Sequence, residues 1–206
     1  LLSKGADIKV RDSEGKTPLH LSAQNCRMEN VDFLLSKGSD IHMRDNSGKT
    51  PLHLAAQNGA MEVVDYLLSK GGDINSKDSE GKTPLHLSAQ NSRKDVSDLL
   101  LSRGAEIDSK DTAGKTPLFW ACQNGSAEVV EFLVSKGSDV NFKDNSLRTP
   151  LFYAVQYGRI EIVDFLVTKG AEVNIKDKNN VTPMKVATEK AGSDMVELLK
   201  KYGATE

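Results

Sequence analysis

A short sequence returns along this chain at a fixed interval of 33 residues. It begins with Thr-Pro, and its six copies start at Thr17, Thr50, Thr83, Thr116, Thr149 and Thr182. All six prolines of the chain belong to these copies. A fixed period of about 20 to 50 residues is typical of solenoids, in which each repeat is too small to bury its apolar side alone. We therefore predict an array of stacked repeats, whose exposed surface is long and suits recognition of a partner.

Each period encodes two short helices, and the repeat around Thr50 shows how. Thr50 is a typical helix N-cap, and Pro51 suits the first helical position, where its missing N–H costs nothing. These residues predict a first helix over 51–58, which Gly59 ends by adopting a left-handed conformation. An apolar stripe with acidic residues opposite it predicts a second helix over 61–70. Helices this short are unstable alone, so their stability must come from neighbouring repeats.

The repeat resembles the ankyrin repeat in three segments: Thr-Pro-Leu-His from Thr50, the glycine at Gly59, and Gly-Asp-Ile-Asn ending at Asn75. The resemblance extends from Leu1 to Glu206. It implies an all-α repeat solenoid of helix-turn-helix units with projecting β-turn fingers, whose concave side usually binds other proteins. We predict one domain made of the end of a truncated repeat at 1–11, full repeats at 12–44, 45–77, 78–110, 111–143 and 144–176, and a capping repeat at 177–206.

The two ends of the chain differ. The first five residues, Leu-Leu-Ser-Lys-Gly, match the end of the second helix at 34–38. We therefore expect the chain to be an excised segment that opens inside a repeat. In the last repeat Lys200 and Lys201 stand where an earlier repeat has Leu68 and Ser69, as expected of a terminal unit that faces water.

Charge and cysteine content narrow the class of protein. The formal charge of -2 argues against a dedicated binder of nucleic acid, which needs a clear basic excess. Cys26 and Cys122 lie three periods apart, too far to form a disulfide, which favours a reducing, cytoplasmic setting. No apolar run approaches the roughly 20 residues of a membrane helix, so we expect no membrane insertion.

Three histidines, His20, His53 and His86, stand in register but cannot share a metal. Helix layers about 10 Å apart cannot each supply a ligand about 2.0 Å from one ion. The family resemblance implies that this histidine forms structural hydrogen bonds to neighbouring turns. Phe119 and Phe152 replace it in two repeats, where apolar packing must substitute.

No arrangement of residues indicates catalysis. Gly-Lys-Thr at 15–17 and its copies lack the earlier glycine of a phosphate-binding loop. Acidic pairs such as Glu62 and Asp65 fall on the solvent side of the second helices, where nothing would shift their pKa. We predict a protein that is not an enzyme, with no cofactor and no metal.

The resemblance places partner contacts at the turn tips and at the ends of the first helices. The helix ends form a column of amides broken by one aromatic residue, namely Gln24, Asn25, Gln57, Asn58, Gln90, Asn91, Gln123, Asn124, Gln156 and Tyr157. One interpretation is a polar ladder that hydrogen-bonds an extended backbone. The other is that recent duplication left the surface undiversified.

Two rows of cations occupy the turns, and the row nearest the first helices contains Lys49, Lys82, Lys115 and Arg148. An acidic or phosphorylated protein segment could lie against this row. The plainer interpretation is that the cations are solvated turn residues, since lysine is ordinary at this position in ankyrin repeats.

Aromatic residues enter in the fourth and fifth repeats. Trp120, Tyr153 and Tyr157 are candidate anchors, because Trp and Tyr dominate interface hot spots. Trp120 and Tyr153 align with Leu54, so packing between helices is the alternative for these two. Tyr157 aligns with Asn58 and is the clearer surface residue.

Five positions depart from the glycines of the repeat. Cys26, Ser92 and Ala191 align with Gly59, while Leu147 and Asn180 align with a turn glycine. Each requires either strain or a different backbone path, and Asn180 is the mildest case.

Three asparagines, Asn75, Asn141 and Asn174, follow Asp-Ile, Asp-Val and Glu-Val. They are similar to asparagines that are hydroxylated in cytosolic ankyrin-repeat proteins, so they are candidate hydroxylation sites.

The function predicted from these observations is a non-catalytic protein-protein interaction module that binds its partner on the concave and finger face. Two alternatives stay open. The array could be a ligand-gated regulatory domain that binds a phosphorylated small molecule, or a structural or targeting arm of a larger multidomain protein.

Overall fold

The computed structural model of the chain describes residues 7–205, and within this range the regular structure is helical, with no strand. The predicted helix end at 1–5 lies outside the described residues. The first helices of the repeats are α1 (Pro18–Gln24), α3 (Pro51–Asn58), α5 (Pro84–Gln90), α7 (Pro117–Asn124), α9 (Pro150–Gln156) and α11 (Pro183–Val186). The second helices are α2 (Met28–Ser36), α4 (Met61–Ser69), α6 (Lys94–Ser102), α8 (Ala127–Ser135), α10 (Ile160–Thr168) and α12 (Ser193–Lys201).

The chain divides into two compact units, Leu1–Glu106 and Ile107–Glu206. In the first unit, α1, α3 and α5 pack side by side, each forms a hairpin with its own second helix, and α2, α4 and α6 pack in the same order. The second unit has α7, α9 and α11 in one layer and α8, α10 and α12 in the other, and in its last repeat the segment Ala187–Ala191 lies between α11 and α12 and contacts both. The predicted all-α stack of helix pairs is confirmed. The single domain with the repeat boundaries given above stays a prediction.

Local sequence explains where each helix starts and stops. Thr50 takes an extended conformation with φ -88° and ψ 167°, and Pro51 is the first helical residue, as predicted. Gly59 ends the helix with φ 81°. The second helix ends at Ser69, one residue before the predicted Lys70.

The five departures from the glycine pattern fall into two groups. Cys26, Ser92, Leu147 and Asn180 all adopt φ between 55° and 61°, so at these four positions the left-handed conformation is kept, which is the first of the two predicted outcomes. Ala191 takes the other path that we allowed. A π-helical segment, Ala187–Ala191, inserts before α12, and the positive φ of 88° moves to Gly192.

The turns hold one another in line through backbone bonds. In the second repeat, Oδ1 of Asp45 accepts the N–H groups of Ser47 at 2.8 Å and Lys49 at 2.9 Å. The backbone N–H of Asn46 donates to the carbonyl oxygen of Glu14 in the previous turn at 2.9 Å. This turn is therefore held internally and fixed to the turn before it, so its side chains have defined positions.

The core is built from the same position in every repeat. The apolar residue after each proline is at most 3% exposed, and the column contains Leu19, Leu52 and Leu85 in the first unit and Leu118, Leu151 and Met184 in the second. Among residues 7–205, none of the helices has the length and apolar content required to cross a bilayer.

Candidate partner-binding face

The histidines join neighbouring repeats, as the resemblance implied. The backbone N–H of Thr50 donates to Nδ1 of His53 at 3.1 Å, so Nδ1 is an acceptor and the ring proton is on Nε2. Nε2 then donates to the carbonyl oxygen of Lys82 at 3.1 Å. His20 makes the equivalent bond to Lys49 at 3.0 Å. Burial lowers the pKa of both histidines, that of His53 to about 4, so these rings are neutral structural links.

Where phenylalanine replaces this histidine, the threonine before the helix loses a hydrogen-bond partner. Phe119 and Phe152 are at most 1% exposed, and the ring of Phe119 meets that of Tyr153 edge to face at 5.6 Å. Apolar packing does substitute, as expected. However, the buried hydroxyls of Thr116 and Thr149 have no hydrogen-bond partner, because no ring nitrogen is present to meet them.

The structure divides the predicted amide ladder into two roles. The asparagines are turned into their own helices: Nδ2 of Asn25, Asn58 and Asn91 donates to the carbonyl oxygen four residues earlier at 2.7 to 2.9 Å. These asparagine side chains therefore cap the C-terminal ends of their own helices.

The glutamines face the turns. Nζ of Lys49 donates to Oε1 of Gln57 at 3.0 Å, and Nζ of Lys82 donates to Oε1 of Gln90 at 3.2 Å. Since a lysine can only donate, these contacts fix which end of each amide faces the turn. Gln24, Gln123 and Gln156 are half-buried at equivalent positions.

The row of cations nearest the first helices, here called the inner row, has partners within the chain. Lys49 and Lys82 contact the glutamines just described, and Lys82 also pairs with Glu80 at 2.8 Å. Lys16, one repeat earlier, pairs with Glu14 at 2.6 Å. In the second unit, Nε and Nη2 of Arg148 donate to Oδ2 of Asp177 at 3.0 and 2.9 Å. A ligand that used these cations would have to compete with those groups.

Asp177 illustrates how such a turn carboxylate is stabilised. Burial alone would raise the pKa of Asp177, but backbone N–H groups of Val181 and Asn179 and the Arg148 guanidinium together hold it below its usual value. The ion pair is therefore present at neutral pH.

Trp120 and Tyr153 are oriented by the turn aspartates of their own repeats. Nε1 of Trp120 donates to Oδ2 of Asp111 at 3.0 Å, and the hydroxyl of Tyr153 donates to Oδ2 of Asp144 at 2.8 Å. Nζ of Lys115 lies over both rings, 4.8 Å from the Trp120 centroid and 4.1 Å from that of Tyr153. The sequence suggested neither bond, although an aspartate nine residues before each aromatic residue was visible.

The three aromatic candidates differ in exposure. Tyr153 is 9% exposed, and burial followed by its bond to Asp144 raises the pKa of its hydroxyl. Trp120 is half-buried. Tyr157 is 44% exposed, so of the three it presents most surface to solvent.

The candidate hydroxylation sites bridge consecutive repeats. Oδ1 of Asn141 accepts the N–H of Glu172 at 2.9 Å, and its Nδ2 donates to the carbonyl oxygen of Gly170 at 2.9 Å. Asn174 makes the same pair of bonds to Thr205 and Gly203. Asn75 accepts the N–H of Glu106 at 3.0 Å. An enzyme acting on them would have to open these contacts first.

The comparisons with known proteins agree with this architecture. A family model described as ankyrin repeats (3 copies) matches residues 1–78, 27–111, 71–144, 105–177 and 144–205. The crystal structure of the human ASB11 ankyrin repeat domain is similar, with a TM-score of 0.83, 26% sequence identity, and coverage of 92% of this chain and 85% of that one. No curated protein matches the sequence.

Proposed function

This chain belongs to the ankyrin-repeat family, and we propose that it works as a non-catalytic module that binds one partner protein. Ankyrin repeats are generally protein-protein interaction modules, and the matched segments cover the chain from residue 1 to residue 205. The finer part of the proposal concerns where the partner binds. We place it on the first-helix face, defined as the turns together with the C-terminal ends of the first helices.

The observation that carries this placement is that turn and helix end form one surface. Ser13, Glu14 and Lys16 of one turn line a common hollow with Gln24 at the end of α1 and Gln57 at the end of α3. Such a surface offers donors and acceptors held by a rigid backbone, which lowers the ordering cost of binding. In the second unit this face carries Trp120 and Tyr157, which align with Leu54 and Asn58 and are of the residue types that anchor interfaces.

The titratable groups support a binding role over a catalytic one. The lowered pKa of His53 and the raised pKa of Tyr153 both arise chiefly from burial, within contacts that join structural elements. Burial also raises the pKa of the Cys122 thiol, which keeps it protonated and unreactive. The hydrogen bonds of His53 to the Lys82 carbonyl oxygen and of Tyr153 to Asp144 hold helix and turn together, which is a structural role.

An acidic or phosphorylated segment is the second candidate partner. The inner row of cations favours it, since phosphate oxygens pair strongly with Lys and Arg. Against it stand the internal partners of Lys49, Lys82 and Arg148 described above. We also propose a cytoplasmic setting, supported by the two free cysteines, Cys26 and Cys122.

Affinity capture from a cytosolic lysate tests the proposal. The bait is the full chain, and the matched variant carries Trp120→Leu and Tyr157→Asn, the residues found at these positions in the second repeat. Circular dichroism establishes that both are folded. We expect a protein retained by the parent and lost from the variant. A protein retained equally by both would overturn the placement, and no retained protein would overturn the function.

A further inference from the structure

Two equivalent hollows lie one repeat apart on the first-helix face of the first unit. The first, of about 500 Å³, is lined by Ser13, Glu14, Lys16, Gln24, Asp45, Asn46, Ser47, Lys49, Leu54 and Gln57. The second, of about 200 Å³, is lined by Ser47, Lys49, Gln57, Asp78, Ser79, Glu80, Lys82, Leu87, Gln90 and Asn91. Nine of the ten residues of the second hollow lie 33 positions after a residue of the first. The two share Ser47, Lys49 and Gln57, which form the wall between them.

Each hollow is balanced in charge. The first contains Lys16 and Lys49 against Glu14 and Asp45. The second contains Lys49 and Lys82 against Asp78 and Glu80. With two cations and two carboxylates in each, neither hollow favours an acidic or a basic occupant. A neutral polar group with both a donor and an acceptor suits them better.

The shared wall presents a donor of fixed orientation. Oε1 of Gln57 accepts from Nζ of Lys49 at 3.0 Å, so its Nε2 group is turned away from the lysine. An amide N–H₂ group held in this way is suited to donate to a carbonyl oxygen of a ligand. An apolar side chain, Leu54 in one hollow and Leu87 in the other, accompanies the polar groups.

The spacing of the hollows selects the conformation of the occupant. Packed neighbouring helices lie about 8–10 Å apart, and the hollows repeat with the first helices. A polyproline II segment advances about 3.1 Å per residue and has three residues per turn, so every third residue faces the same way at intervals of about 9 Å. In a β-strand the third residue faces the opposite way. Of these two extended conformations, polyproline II is the one that places equivalent side chains in both hollows.

We propose that the first unit binds a neutral, proline-containing segment in the polyproline II conformation, with an uncharged polar side chain at every third residue. One such side chain enters each hollow, and the backbone carbonyl between them accepts from Nε2 of Gln57. A polyproline II backbone makes no internal hydrogen bonds, so this carbonyl is available. The inference rests on the proposed function, because it specifies the kind of partner that the first-helix face receives.

Fluorescence polarisation with labelled synthetic peptides tests it. The probe contains four Pro-Pro-Asn triplets. The first control has the same composition with its asparagines in adjacent pairs, and the second has aspartate in place of asparagine. The protein variants are Gln57→Ala, which removes the shared amide donor, and Glu62→Ala, which changes an exposed residue of α4 outside the first-helix face.

We expect the triplet probe to bind about tenfold more tightly than either control. Each control should lose the hydrogen bonds of about one hollow, which corresponds to a factor of this size. Gln57→Ala should weaken binding of the probe by a similar factor, and Glu62→Ala should leave it unchanged. Equal binding of the paired control, tighter binding of the aspartate peptide, or an unchanged Gln57→Ala variant would each overturn the inference. So would no binding at all, and in that case the proposed function is still decided separately by capture of a whole protein.

Discussion

The imidazole of His53 lies 3.1 Å from the carbonyl oxygen of Lys82 and joins the first helix of one repeat to the turn of the next. Nε2 can donate to this carbonyl in either protonation state, but Nδ1 accepts the N–H of Thr50 and can do so only while the ring is neutral. A single side chain thus couples the helix cap, the stacking of repeats and the protonation state.

The stability of the protein should depend on pH through His53. Burial lowers the pKa of His53 from 6.5 in the unfolded chain to about 4 in the folded protein, so as pH falls the unfolded chain takes up the proton first. The contribution of neutral His53 to stability is therefore complete above pH 6.5, the pKa in the unfolded chain. It is lost as the pH falls from there to about 4, the pKa in the folded protein. Lowering the pH from 7 to about 5 should therefore reduce the free energy of unfolding by about 2 kcal/mol through this histidine.

Urea denaturation of the parent and of His53→Phe at both pH values checks this. Phenylalanine occupies the equivalent buried position at Phe119 and Phe152, so the variant should fold. Its stability should fall less on acidification than that of the parent. An identical loss in both proteins would show that His53 is not the titrating group.

The second prediction concerns the threonines. Thr116→Val removes a buried hydroxyl that has no partner and should leave the free energy of unfolding unchanged or raise it slightly. Thr50→Val removes a hydroxyl that lies 2.9 Å from Nδ1 of His53 and should cost about 1–2 kcal/mol. Urea denaturation of the two variants provides the comparison. Equal losses would mean that the hydrogen bonds of Thr50 contribute nothing beyond helix propensity.

The third prediction concerns backbone strain at Leu147. Its φ of 61° is unfavourable for a branched side chain, and it is 44% exposed, so little burial would be lost on substitution. Leu147→Asn should raise the free energy of unfolding by up to about 1 kcal/mol, because asparagine tolerates this conformation, as Asn180 does at the equivalent turn. Leu147→Ala keeps the strained Cβ and serves as the control. Equal stability of the two variants would contradict the account.

The fourth prediction concerns the turn aspartates. Asp111→Asn replaces Oδ2, which accepts from Trp120 at 3.0 Å, by a donor that faces another donor. It should cost about 1–3 kcal/mol and change the fluorescence of Trp120, the single tryptophan of the chain. Asp45→Asn, whose repeat has Leu54 in place of the tryptophan, should be nearly neutral in urea denaturation. A similar cost at both positions would show that the indole bond is unimportant.

Much of the fold was predictable because the repeat encodes it locally. Thr50, Pro51 and Gly59 each have one main structural role, so the helix bounds came out correct to within a residue. The left-handed backbone at Cys26 and Leu147 is one of the two outcomes that the alignment predicted. The π-helical path before Gly192 could not be specified, since it depends on how the last repeat packs.

The candidate face was harder to predict because side-chain partners are chosen in three dimensions. Sequence placed the glutamines and the asparagines in one ladder, yet Asn58 donates to the carbonyl oxygen of Leu54 in its own helix while Gln57 faces Lys49. Likewise, nothing in the spacing of Asp111 and Trp120 required the turn to reach the indole. These orientations arise from packing of the turn against the helix that follows it.

Hydrogen-deuterium exchange with a captured partner protein tests the central claim most directly. When the partner is bound, exchange should be slower at the turns and at the ends of the first helices, such as Gln57 to Gly59. The backs of the second helices, such as Glu62 to Tyr66, should exchange at the same rate with and without it. Protection confined to the second helices would contradict the placement of the partner on the first-helix face.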